Sequence, residues 1–374
     1  MLHRIAGIRV TYCCHSASPS CPALYMKSQS KGPSRASILE IAREAKVSTA
    51  TVSRAFNRPE LLHAETLGRV KRVARQLGFR PNLVGRSLRR GSTQTIGVLL
   101  PTLTNPVFAE CFEGACRYAQ NIGYSIMVAT TNYDHEGELE SLHTLLDHQV
   151  DGLILTLGSA VPLASHDLLQ RAQATPYILA YSMLPGIPSV TIDDFRASQH
   201  LAELLAAFNH RRMVFLSGPL KDSDRAARRL LGARACAERL GFDPVPHVVM
   251  PSHVECDPVQ VERLLQHHRP PIAVMCSNDL LALSLMSICR SLELRIPQDV
   301  SVCGFDGIAP GAMYDPPLTS VVQPSIEIGH IACKKLLDHL TANHRLTSAI
   351  VPHRIFEGGT VCTLPPRPDK GAAP

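Results

Sequence analysis

Between residues 95 and 306 short apolar runs alternate with amphipathic segments, and this alternation leaves few architectures open to the chain. The runs are TIGVLLP (95–101), YSIMVAT (124–130), DGLILTL (151–157), PYILAY (176–181), SVTI (189–192), MVFLSG (213–218), HVVM (247–250), IAVMCS (272–277) and VSVCGF (300–305). Most are continuously apolar, as strands are when both of their faces are covered. Helical periodicity occupies 106–121, 136–148, 195–209, 224–240, 258–267 and 279–292, with a weaker strand–helix pair following residue 157. The pattern predicts an α/β fold with doubly wound parallel sheets. Roughly 230 residues of it exceed one such domain, so two similar lobes are expected.

Open parallel sheets bind ligands beyond the carboxyl ends of their strands. The residues there are Asn105 and Phe108, Tyr181, Asp193 and Asp194, Asn278 and Asp279, and Asp306. Each alone is as readily a helix cap, and Asn278-Asp279 before an apolar helix is an example. Their recurrence at one end of successive strands points to a cleft. Arg229, in RAARRLLGA, reads by itself as a solvated helix residue.

The segment before residue 92 has a different character. Residues 31–91 carry 14 Lys/Arg and 4 Asp/Glu, whereas residues 92–374 carry 21 and 28. A basic head on a mildly acidic body suits a polyanion-binding module joined to another function; charge alone is equally compatible with a solvated basic surface. Ser37-Ile-Leu-Glu40 forms a capping box, and Ile38, Ile41, Ala42 and Ala45 follow at helical spacing. After the short Lys46-Val47-Ser48 link, Ser48 caps a second helix with Val52, Ala55 and Phe56 inside. A third starts near Ala64 with Leu67, Val70, Ala74 and Leu77 on one face, and Gly78 and Pro81 end it. Two helices joined by so short a turn make a helix-turn-helix. The second helix exposes Thr49, Ala50, Thr51, Ser53 and Arg54, side chains suited to base edges and phosphates.

Other classes find little support. There is no G-x-G-x-x-G after the first strand, no P-loop, no G-x-S-x-G elbow and no H-E-x-x-H, so the chain reads as a non-enzyme without cofactor or metal. The 17 His, among them His210 and the His267-His268 pair, lack metal spacing and read as surface or capping residues. The 12 Cys, including the adjacent Cys13 and Cys14 and the apolar-run Cys276 and Cys303, read as reduced, buried small hydrophobes of a cytoplasmic protein. The first 25 residues lack a clean signal-peptide core, and Met26 is the more natural start; residues 1–34 are read as a disordered extension and 367–374 as a disordered tail.

VSTATVSRAFN (47–57) and ETLGRVKRVARQLGFRPNLVGRSLRRGSTQTIGVLLP (65–101) resemble the head, hinge and first core strand of the lactose/galactose-repressor family of bacterial regulators. The resemblance continues through DGLIL (151–155), FLSGPL (215–220), SNDLLALS (277–284), RIPQDVSVCGFD (295–306) and PLTSVVQP (317–324). IGVLLPTLTNPVFAE also resembles the family's gluconate-type branch. The resemblance implies a head (35–81), a hinge helix and linker (82–92), and two lobes like those of periplasmic sugar-binding proteins. The chain would cross between lobes near Ile192–Asp193, near Gln323 and near residue 350. The first lobe would take 93–192 and 324–349, including a helix over 325–340; the second would take 193–323 and 350–366, including the last strands.

Residue roles follow by position in the family. Thr49, Ala50 and Arg54 match its base-reading residues, and Ser48, Thr51, Ser53 and Asn57 its phosphate contacts. Asn82 to Leu88 match the hinge, with Leu88 the minor-groove wedge; Gly85 departs from the commoner Ala and predicts a hinge that folds only on DNA. Arg229, Asn278 and Asp306 match effector-binding positions, joined by Asn105 and Phe108. Tyr181 stands where some sugar-binding members have Asp, and Asp194 where many have Asn. The reading is a homodimeric regulator, or a tetramer, most simply a repressor, whose affinity for a pseudo-palindromic operator responds to a sugar or sugar acid between the lobes. A sugar-binding receptor without DNA function is the alternative; a sugar-metabolising enzyme on the same two-lobed fold is a more distant one.

Overall fold

The computed structural model describes residues 36–79, 92–158, 170–172 and 174–365. The proposed N-terminal extension with Met26, the hinge Asn82–Leu88, most of the weak pair after residue 157 and the tail lie outside the described residues. The chain forms two compact units, Met1–Asn82 and Leu83–Pro374.

In the first unit, α1 (Ile38–Glu44) begins at the capping box: Glu40 N donates to Ser37 Oγ at 3.2 Å and Ser37 N to the Glu40 carboxylate at 2.6 Å. One otherwise unpartnered backbone amide is thus satisfied at each end of the box. The link to α2 (Thr49–Asn57) turns through Lys46 at φ +54°, and Ser48 Oγ accepts from Thr51 N. After a 3-10 turn at Pro59–Leu61, α3 (Ala64–Gln76) closes the bundle. Ile41, Val52 and Val70 are fully buried, with Ala42, Ala45, Ala55, Val73 and Ala74 around them. Each large residue contributes about 1.5–3 kcal/mol, and the alanines let the axes approach. Leu77 departs from the sequence reading. It lies beyond the last residue of α3 and is 39% exposed. Gly78 at φ +62° then reverses the chain, so that Phe79, not Leu77, packs at this end, its ring 5.4 Å from Phe56.

The second unit holds two six-stranded sheets. The first has the order β11-β5-β4-β3-β1-β2 and comprises β1 (Thr95–Leu100), β2 (Ser125–Thr130), β3 (Gly152–Leu155), β4 (Tyr177–Ala180), β5 (Ser189–Thr191) and β11 (Ala349–Ile350), all parallel. The second has the order β12-β10-β9-β8-β6-β7: β6 (Met213–Ser217), β7 (His247–Val249), β8 (Ile272–Cys276), β9 (Val300–Asp306), β10 (Thr319–Val322) and β12 (Arg354–Phe356). Here β12 runs antiparallel to β10, one exception to the parallel pattern; the chain reaches it from the neighbouring sheet by a direct crossing instead of a helix. β11 joins the first sheet, with Ala349 opposite Val190, immediately before the chain crosses to the second.

The covering helices are α4 (Pro106–Asn121), α5 (His135–Asp147), α6 (Asp194–Ala207), α7 (Asp224–Arg239), α8 (Pro258–His267), α9 (Asp279–Ser291), α10 (Ala309–Met313) and α11 (Ser325–Ala342). The last of these returns to the first sheet and packs on α4. Gly114 and Gly329 sit at that crossing, where an added Cβ would meet the backbone of Ile326 and of Cys111 respectively. The nine cysteines among the described residues are all free, and seven are buried. His210, read as a surface residue, is 1% exposed, and its Nε2 lies 3.1 Å from the Cys362 carbonyl. Among the described residues no helix is long and apolar enough to cross a membrane.

Candidate ligand cleft and nucleic-acid interface

The carboxyl ends of both sheets face one narrow, polar-lined cavity. Asn105, Phe108, Tyr181, Arg229, Asn278 and Asp306 all line it; Asp194 does not, and stands behind Arg229. Asp306 is the hub. It ends β9 at φ +117°, an unusual conformation for any side-chain-bearing residue, and is 5% exposed. One carboxylate oxygen accepts from Asn105 Nδ2 at 3.1 Å, the other from Gln323 Nε2 at 2.8 Å and Arg229 Nη1 at 3.4 Å. Burial pushes its carboxyl up, against the pull of Arg229. Arg229, which the sequence alone reads as solvated, is almost fully buried. Its Nε donates to Asp194 at 2.7 Å, its Nη1 to the Ser277 carbonyl at 2.6 Å, and its guanidinium lies 3.6 Å from the Phe305 ring centre.

Three expected ligand contacts have other work. Asn278 caps α9 with Oδ1 and donates through Nδ2 to the His253 carbonyl, so both polar ends are engaged. Asn105 caps α4 in the same way. Tyr181, at φ +64°, donates its hydroxyl to the Val107 carbonyl at 2.9 Å and packs edge-on to Phe108. It is a wall of the cavity whose polar atom points into lobe one. Burial holds its phenol well above the usual range.

Sequence reasoning missed the other half of the lining: Tyr133, Ser223, Arg225, His253, Ser277 and Gln323. Tyr133 from the first lobe stacks on His253 from the second, with ring centres 4.5 Å apart and planes at 23°. Arg225 Nη1 crosses between lobes to the Leu157 carbonyl at 2.8 Å and Ser182 Oγ at 3.2 Å, while also pairing with Asp224 at 2.9 Å. With Asn105–Asp306, these contacts hold the lobes together across the cleft. Burial raises Asp224 to about 6, opposed by Arg225; it raises the Tyr133 phenol to about 12. The imidazole of His253 is pushed down to about 4, first by burial and then by Arg225.

Three lining atoms, His253 Nε2, Ser277 Oγ and Gln323 Oε1, are buried without a hydrogen-bond partner among the described residues. An unsatisfied buried polar group costs about 1–3 kcal/mol, which a polar ligand would recover. A signal for these residues was present: Tyr133, His253, Ser277 and Gln323 follow β2, β7, β8 and β10 in the positions already used to find Asn105 and Tyr181. Arg225 lies one helical turn before Arg229 on α7.

In the head, Thr49, Ala50 and Arg54 are exposed on α2. The remaining candidates hydrogen-bond within the helix: Ser48 Oγ lies 2.9 Å from Thr51 Oγ1, and Asn57 Nδ2 donates to the Ser53 carbonyl at 2.9 Å and to Ser53 Oγ at 3.2 Å. Asn82 and Leu88 lie outside the described residues.

A helix-turn-helix head joined to a two-lobed body with a polar cleft between the lobes defines a ligand-responsive DNA-binding regulator. Residues 37–82 match the family described as bacterial regulatory proteins, lacI family, and residues 202–361 match a periplasmic binding protein-like domain. The chain is 31% identical to the HTH-type transcriptional repressor CytR of Escherichia coli (strain K12), spanning 84% of this chain and 92% of that one. It is 32% identical to catabolite control protein A of Priestia megaterium, over 85% and 97%. The fold is shared with a lac repressor dimer bound to operator and the anti-inducer ONPF, at a TM-score of 0.77 and 24% identity over 88% and 99% of the two chains. A further solved structure is the transcription regulator GntR from Chromobacterium violaceum, at 0.65 and 26% over 71% and 98%. The chain belongs to the lacI family of bacterial regulatory proteins, and is a DNA-binding transcriptional repressor with an effector-binding body. Comparable identities to several branches assign the family and no single branch within it.

Proposed function

We propose that the protein is a cytoplasmic homodimer whose paired heads read a pseudo-palindromic operator under the control of a neutral sugar bound between the lobes. The observation that carries the ligand class is the trio of unpartnered lining atoms. Gln323 Oε1 is an acceptor, because its amide nitrogen is turned to Asp306. His253 Nε2 can accept too, since burial holds its imidazole in the neutral form. Ser277 Oγ can act either way. Two acceptors and a hydroxyl want a ligand rich in O–H donors.

A sugar acid fits less well. Arg225 and Arg229 are already matched by Asp224, Asp194 and Asp306, leaving no surplus positive charge for a carboxylate. The rings of Tyr133, His253 and Phe108 offer apolar faces for the C–H side of a pyranose or furanose. In the head, Thr49, Ala50 and Arg54 are assigned to bases, and Ser48, Thr51, Ser53 and Asn57 to the phosphate backbone and to holding the reading helix rigid. Asn82 and Leu88 are assigned to the hinge by position. Because ligand contacts replace or add to the bonds that bridge the lobes, ligand and operator affinities must be coupled reciprocally.

The experiment is a thermal-shift screen of neutral sugars, sugar acids and nucleosides on the full-length protein. A neutral sugar that raises the melting temperature in proportion to its logarithmic concentration supports the reading. Stabilisation by sugar acids alone, or by nucleosides alone, refutes the ligand class.

A further inference from the structure

Asp151 does not touch the cleft, the head or any residue assigned a role above, yet it makes a dense polar arrangement. It immediately precedes β3, and its amide donates to the Thr95 carbonyl at 2.8 Å. Its carboxylate gathers the first three described residues of the second unit. Oδ2 accepts from Ser92 Oγ at 2.5 Å and from Gln94 N at 2.9 Å. Oδ1 accepts from Thr93 N at 2.7 Å and from Thr93 Oγ1 at 3.0 Å. Thr93 Oγ1 also reaches the Gln149 carbonyl at 2.8 Å. Gln94 and Gln149 both hold left-handed backbone, at φ +51° and +53°, which side-chain-bearing residues adopt only when surroundings enforce it. Ser92 Oγ–H, Thr93 N–H and Gln94 N–H thus converge on one carboxylate, and the single Thr93 hydroxyl proton is shared between it and the Gln149 carbonyl.

We infer that Asp151 is a positioning residue for operator recognition: its carboxylate clamps Ser92, Thr93 and Gln94 to the base of β3 and so fixes where the chain departs from the body toward the head. The physical reason is entropic. Two heads that must occupy successive major grooves, about 34–36 Å apart, need tethers whose anchor points do not wander. Each loosened residue enlarges the volume a head explores and lowers its effective concentration at the second half-site. Binding to DNA of arbitrary sequence does not need that register. The inference rests on the paired-head reading and is independent of which effector binds.

The test uses full-length protein and a duplex that the wild-type protein itself selects from a randomised pool. Asp151→Asn replaces one acceptor oxygen with an amide that faces donors. The expected result is about tenfold weaker binding to the selected duplex. Affinity for alternating poly(dI-dC) and the melting transition of the body stay unchanged, and hydrogen exchange quickens at the Thr93 and Gln94 amides. Ser92→Ala, which removes a single donor and leaves nothing buried and unsatisfied, gives the same pattern to a smaller extent and serves if the first variant folds poorly. Unaltered specific affinity in both variants overturns the inference. So does a parallel fall in specific affinity, nonspecific affinity and melting temperature, which marks a residue that only stabilises the fold. A stoichiometry of one head per selected duplex for the wild type overturns the paired-head reading separately, before any variant is measured.

Discussion

Replacing Arg229 by methionine tests the cleft network most directly. The side chain is of similar length, so the cavity stays filled while the charge disappears. In the native protein Arg229 neutralises Asp194 at 2.7 Å and Asp306 at 3.4 Å, and all three are buried. Removing one member of a buried ion pair leaves an uncompensated charge and costs about 3–5 kcal/mol. For a body of this size each kcal/mol lowers the melting point by about 2–4 °C, so the variant should melt roughly 10 °C lower near neutral pH. The pH dependence carries the sharper signature. Burial already pushes the Asp306 carboxyl up, and losing Arg229 removes the opposing influence. A carboxyl with a raised folded pKa binds more protons in the native state than in the unfolded chain, so stability grows as pH falls through that value. The gap between variant and wild type should therefore narrow as pH falls. Adding Asp194→Asn should recover part of the loss by removing one orphaned charge. Scanning calorimetry of the body transition reads all of this; the chain has no Trp to report by fluorescence. A variant melting with the wild type, or a gap that does not change with pH, would refute the argument.

Three further outcomes are expected. His253→Phe should flatten the acid limb of stability. The native imidazole, held near 4 against an ordinary 6.5, binds fewer protons folded than unfolded, so stability is lost as pH falls through that window, by about 3 kcal/mol; an unchanged slope in the variant would count against it. Gly329→Ala should cost about 3 kcal/mol, at the top of the range for overpacking, because the new methyl meets the Cys111 backbone and not a side chain that can turn away; urea denaturation with a midpoint like the wild type's would show that α4 and α11 can separate freely. Arg54→Ala should weaken binding to a selected duplex by about 1–3 kcal/mol and relax sequence preference, whereas a uniform loss over all sequences with a shallower salt slope would move Arg54 to the phosphate contacts.

The amino-acid sequence by itself determined the parts that rest on local rules. The helix-turn-helix was legible because Ser37, Glu40 and Ser48 act on backbone atoms three residues away, and Val52 and Ala55 mark one helical face. The parallel sheets were legible because strands buried on both faces lose their polar alternation. The carboxyl-end rule then located Asn105, Phe108, Tyr181, Asn278 and Asp306 at one cavity. Only the tertiary structure decided what those residues do there. Asn105 bonds Asp306 across 201 positions, Arg229 is buried by a pair of carboxylates that no spacing in its own helix announces, and Tyr133 meets His253 from the opposite lobe. The direction of β12 and the exposure of Leu77 belong to the same class. Periodicity and capping report how a segment meets its own backbone and a core. Which charge lies opposite which, and which polar atom is left without a partner, depends on how two lobes close on each other, and that arrangement has no period along the chain.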